Sequence, residues 1–127
     1  MKNYMLFKWV SVSAVLVYLI LPCDKVEAGQ TLQVKTTVRN ILNSGSSGSV
    51  VFNVNVDEKQ RCKVHNGQIN FKTIVQSSEG TKLVRENYQT WNNMTERQFV
   101  VQWTGAHLPT EELTDVTDIV TESVCLD

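Results

Sequence analysis

Beyond residue 30 the chain is dominated by apolar and polar residues in alternation, the period of two that strands show when one face is buried. Residues 31–39 (TLQVKTTVR) set Leu32, Val34, Thr36 and Val38 against Gln33, Lys35, Thr37 and Arg39. Residues 50–56 (VVFNVNV) repeat the pattern, with Phe52, Val54 and Val56 inward and Asn53 and Asn55 outward. Residues 97–104 (RQFVVQWT) place Phe99, Val101 and Trp103 on one side, and residues 81–88 (TKLVRENY) make a weaker strand.

The middle of the chain, residues 60–76 (QRCKVHNGQINFKTIVQ), holds Asn66-Gly67, the dipeptide suited to the two positive-φ positions of a type I′ turn. It predicts a hairpin. His65 then faces Gln68, Val64 faces Ile69, Lys63 faces Asn70, Cys62 faces Phe71 and Arg61 faces Lys72. In that register Cys62, Val64, Ile69, Phe71, Thr73 and Val75 share one face, and Arg61, Lys63, His65, Asn70 and Lys72 share the other. Ile74 breaks the alternation and implies a bulge or a cover on the outer face.

The intervening segments read as connections. Residues 40–49 (NILNSGSSGS) form a flexible link anchored by Ile41 and Leu42, and residues 57–59 and 77–80 form turns. Residues 89–96 (QTWNNMTE) form a polar loop carrying Trp91. In residues 110–124, Leu113, Val116, Val120 and Val124 fall at helical spacing, with Ile119 adjoining them. Thr110 is placed to cap a helix, and Glu111 and Glu112 suit its first turn. The Thr, Val and Ile content of this stretch favours a strand instead; the expectation is a short C-terminal helix followed by an extended end. The fold class is mostly β, a small antiparallel sandwich or open barrel of about six strands. The marks of an immunoglobulin domain are missing, since no tryptophan closely follows Cys62 and no tyrosine sits two residues before Cys125.

The first residues change the picture of where the domain begins. Lys2 and Lys8 precede an apolar run of 13 residues, 9–21, which Pro22 ends, and Val26-Glu27-Ala28 offers a cleavage site before Gly29. The run is short of the roughly 20 residues that span a membrane. Residues 1–28 are therefore expected to be a removed signal peptide, and residues 29–127 a single exported β-rich domain without stable membrane insertion. Removal of Cys23 with the leader leaves Cys62 and Cys125, an even pair expected to form a disulfide in an oxidising compartment. Such a bridge closes a loop of roughly 64 residues and contributes roughly 4 kcal/mol by the chain-entropy account.

Charge is unevenly spread. Residues 29–109 carry nine Lys/Arg against five Asp/Glu, whereas residues 110–127 carry six acids and no base. A near-neutral domain of this kind offers no support for nucleic-acid binding, and two regions of opposite sign can meet each other or separate partners.

Candidate chemistry is sparse. His65 and His107 lie in no catalytic setting, with His65 expected to be solvated beside the turn and His107 to be a loop residue. Two histidines and two paired cysteines do not make a zinc site, the acidic segment matches no calcium loop, and no glycine-rich phosphate loop is present. No metal or other cofactor is expected. Asn93-Met94-Thr95 is a sequon, which marks Asn93 as a glycosylation acceptor in an exported chain. Two surfaces stand out. The hairpin register gathers Arg61, Lys63, His65 and Lys72 into a cationic face, covered by the acidic segment or met by an external anion. Trp91, in its polar loop with Tyr88 near by, is a candidate for stacking on a sugar or anchoring a protein, whereas Trp103 falls on a core face. The expected function is a secreted, disulfide-bonded binding module for an extracellular or cell-surface protein. A glycan-binding module, lectin-like or for sulfated glycans, is the alternative, and a small secreted enzyme the third reading.

Overall fold

A computed structural model of the chain describes residues 26–127. Six strands run in order as β1 (Val34–Ser44), β2 (Ser47–Val56), β3 (His65–Ser77), β4 (Lys82–Met94), β5 (Gln98–Ala106) and β6 (Glu111–Cys125). They pair antiparallel in two three-stranded sheets, β1-β2-β5 and β4-β3-β6, so the fold is a small β-sandwich with no helix among the described residues. The expected leader, residues 1–28, lies outside the described residues except for its last three, of which Val26 packs in the core.

The two central strands, β2 and β3, supply most of the core. Val50, Phe52, Val54 and Val56 meet Ile69, Phe71, Thr73 and Val75, with Phe52 and Phe71 edge to face at 4.9 Å between ring centroids. Each buried Val, Ile or Phe side chain contributes about 1.5–3 kcal/mol. Phe99 and Val101 extend the core under β5, and Leu113 closes it under β6.

One side of the sandwich is sewn shut. Residues 29–32 run along β6, with the Gly29 N–H donating to the Cys125 carbonyl and the Leu32 N–H to that of Ser123, before the chain crosses into the other sheet. The Asn43 amide imitates a peptide group between β1 and β6, donating to the Leu113 carbonyl and accepting from the Leu113 N–H, each at 2.9 Å. The opposite side, where β4 overlies β5, has no ladder between the sheets. The expected disulfide is present, joining Cys62 in the β2–β3 connection to Cys125 at the end of β6.

Four expectations are corrected. Asn66-Gly67 is no turn: both residues lie inside β3, opposite β4 and β6. Gly67 is small because the Trp91 indole lies across it, and a Cβ there would fall inside the ring. The Asn66 side chain accepts from the Asn93 N–H and its carbonyl from the Ser123 hydroxyl. A continuous strand gives His65 the same parity as Ile69 and Phe71, which turns it from the outer face into the core.

Residues 40–49 are no flexible link but the two arms of the β1–β2 hairpin, turned through Gly45 and Ser46. Gly45 has φ 57°, the single positive-φ position of a II′ turn, and Gly48 is held small by the Leu113 Cβ, 2.9 Å from where its own would sit. The polar loop at residues 89–96 is strand through Met94. Finally, residues 110–124 form no helix. Two register shifts in β6, an extra residue opposite Phe71 and another at Thr114, spread the inward positions to 113, 116, 119, 121, 123 and 125. The bulges stretch a period of two into spacings of three that imitate a helix. Asp118 sits in the first of them with φ 53°.

Candidate functional site

The structure disperses the expected cationic face. Lys72 lies on the outer face of the β4-β3-β6 sheet, paired with Asp118 at 3.1 Å and flanked in the ladder by Glu86. Arg61 and Lys63 lie far along the chain in the β2–β3 connection, beside the disulfide. There the Lys63 N–H donates to the Asp127 carboxylate at 3.0 Å. That bond, ahead of an opposing desolvation, holds the Asp127 carboxyl below its ordinary 3.8, with the Val64 N–H and the Lys63 charge adding to it. The acidic segment thus meets Lys72 at its ammonium group but Lys63 only at its backbone N–H, and the Lys63 side chain stays exposed.

His65 and Trp91 are corrected from surface to core, at 1% and 5% exposure. The Trp91 Nε1–H donates to His65 Nδ1 at 3.0 Å, and His65 Nε2–H donates to the Glu96 carbonyl at 2.9 Å. Both ring nitrogens are therefore committed and the neutral tautomer is fixed. Phe99 packs against both rings, 5.6 Å from His65 and 5.2 Å from Trp91. The cluster pins β4 to β3 and β5, and leaves no free lone pair for a catalytic base. Asn93 is exposed at the end of β4, in a bulge with φ 52°. Cys62, Cys125 and Asp127 converge, but the sulfurs are bonded to each other and offer no thiolate to a metal.

What the fold does assemble centres on β4, a strand whose polarity is reversed. Trp91 faces the core opposite Gly67, and counting back by twos puts Gln89, Asn87, Arg85 and Leu83 on that same inner face. The outer face carries Val84 and Tyr88, at 55% and 64% exposure. Across the sheet Tyr88 aligns with Asn70 and Val120, and Val84 aligns with Ile74 and Asp115. Val120 is 54% exposed and Ile74 half-buried. Together they form two apolar groups, Tyr88 with Val120 and Val84 with Ile74, on either side of the charged row of Glu86, Lys72 and Asp118, bordered along β6 by Glu112, Asp115 and Glu122. The aromatic that sequence reasoning paired with Trp91 and Trp103, Tyr88, is thus the exposed one of the three. The aliphatic members were missed, although the parity of Trp91 carries the signal.

No protein-family model, curated protein or solved structure matches this chain. Among the described residues no helix is long and apolar enough to cross a membrane.

Proposed function

We propose that this is an extracellular binding module that docks another protein on the outer face of the β4-β3-β6 sheet. The disulfide is compatible with export. The carrying observation is the group Val84, Tyr88 and Val120, three large apolar side chains each more than half exposed on one sheet face. Tyrosine and aliphatic anchors with a charged rim are the usual make-up of a protein interface. The rim here is acidic on the β6 side, so the fitting partner presents apolar side chains bordered by Lys or Arg. Two placements favour a protein over a glycan: Trp91 is unavailable for sugar stacking, and the cations expected to meet a sulfated chain do not share a face.

The test is site-specific photocrosslinking. A benzophenone side chain at position 88 should capture a discrete protein from the surrounding extracellular material, and Val84→Asp should abolish the adduct while leaving the melting temperature unchanged. The same probe at Val100, exposed on the other sheet, should capture nothing. Equal capture from both positions, or none from 88, sinks the reading; an adduct only to a second copy of this chain replaces the partner with a homodimer.

A further inference from the structure

The reversed polarity of β4 has an inner consequence as well. On the unsewn side of the sandwich, at the end holding the Gly45 turn, a pocket of about 160 Å³ opens between the sheets. Its walls are of two kinds. Val75, Leu113 and the half-buried Trp103 are apolar, and Trp103 stands edge-on to Phe71 at 5.4 Å. Arg85, Asn87 and Thr73 converge on the pocket from β4 and β3, with Arg85 directly opposite Thr73 in the ladder.

These polar groups are held in place. The Asn87 amide donates to the Thr73 hydroxyl at 2.7 Å and to the Arg85 carbonyl at 3.2 Å. One Arg85 guanidinium N–H donates to the Ala106 carbonyl at 3.1 Å, which ties β4 to β5 and fixes the cation at the pocket. A guanidinium carries five N–H donors, so most of its capacity is unspent. Among the described residues the one ion pair is Lys72–Asp118, and no carboxylate lines this pocket. The Trp103 indole N–H also makes no hydrogen bond to a described residue, whereas that of Trp91 is committed to His65. The floor is backbone: Gly48 and Gly105 pair directly, and the Trp103 ring lies over Gly105, so a side chain at neither position intrudes.

We propose that this pocket binds a small monocarboxylate with a compact apolar body. The carboxylate accepts from Arg85 in the bidentate geometry that guanidinium and carboxylate share, and the body rests on Trp103, Val75 and Leu113. The volume corresponds to about five water molecules at about 30 Å³ each, which suits an acid near the size of benzoate. An inorganic anion uses Arg85 and wastes the apolar wall, and a neutral isostere does the reverse. His107 closes the pocket's end, its own ring nitrogens facing the Leu108 carbonyl and the Asn43 side-chain oxygen.

The competing explanation is that Arg85 points inward merely to blunt the open edge of β4 against aggregation. Titration of the disulfide-bonded protein by two-dimensional NMR separates the two. Benzoate should shift the Trp103 indole and the Gly48 and Gly105 amides saturably in the millimolar range. Benzyl alcohol and inorganic phosphate should each bind about tenfold more weakly or worse, and Arg85→Met should weaken benzoate by about tenfold or more, the usual worth of a charge-assisted hydrogen bond. Phenylglyoxal labelling of Arg85 in the unaltered chain, slowed by benzoate, keeps the test independent of how the variant folds. No saturable shift at these three residues, equal affinity for benzyl alcohol, or labelling indifferent to benzoate overturns the proposal. Aggregation of Arg85→Met without any benzoate response in the unaltered chain leaves edge protection as the role.

Discussion

Strands β2 and β4 are built on the same period of two and use it in opposite ways. In β2 every second residue is buried and the residues between are half-covered, without exception along its length. In β4 a single residue, Trp91, is buried, and the inner face carries Arg85, Asn87 and Gln89 while Val84 and Tyr88 look outward. Position accounts for the difference. β2 is hydrogen-bonded on both sides, by β1 and β5, and lies over β3; β4 is an edge strand whose one ladder is with β3. The centre of each sheet carries the stability, which leaves the edge free to depart from the rule that apolar residues go inside. Departures of that kind concentrate where a protein meets something else.

The contrast is easiest to break at its extremes. Phe52→Ala in β2 should cost about 3–5 kcal/mol, read as a fall in the denaturant midpoint. Tyr88→Ala on β4 should stay within about 0.5 kcal/mol. If the two variants unfold alike, the division between a stabilising and a working strand is wrong. A middling effect is expected where β4 does reach the core. Gly67→Ala sets a methyl group inside the Trp91 indole and should cost about 1–3 kcal/mol, with a change in the near-ultraviolet circular dichroism as the ring is displaced. The pocket and patch experiments above are expected to leave stability where it is and move only binding.

The smallest effect concerns pH. Asp127 has its carboxyl lowered in the folded chain, so near and below 3.8 the unfolded chain binds more protons than the folded one and stability rises with pH. The contribution is in place above that value and is lost as pH falls through the lower, folded one. Melting curves taken from about pH 5 downward should show the native chain losing more than Asp127→Asn does; parallel losses would mean that the bond to Lys63 carries no weight.

How much of this was legible depended on whether short-range pattern and long-range packing agreed. They agree in β2 and β5, where alternation named the buried residues, and in the cysteine pair, where the even count left beyond the expected leader was enough. They disagree at Asn66-Gly67, whose turn chemistry was cancelled by a tryptophan 24 positions further on that requires a bare backbone beneath it. In β6 the pattern was present but transposed, because each bulge adds a residue and resets which face follows. The patch and the pocket were hidden for a different reason: exposed Val84 and inward Arg85 look like an ordinary mixed strand until Trp91 sets the parity.

The pairing of β3 with both β4 and β6 also bears on how the protein comes to exist. Half of that sheet's central ladder waits for residues about 50 positions downstream, and such distant closures fold slowly. Until β6 arrives, β3 shows an unpaired edge and Cys62 a bare thiol, both marks of an unfinished sandwich. The Cys62–Cys125 bond is therefore a latch on a completed sandwich and records that its last strand has docked.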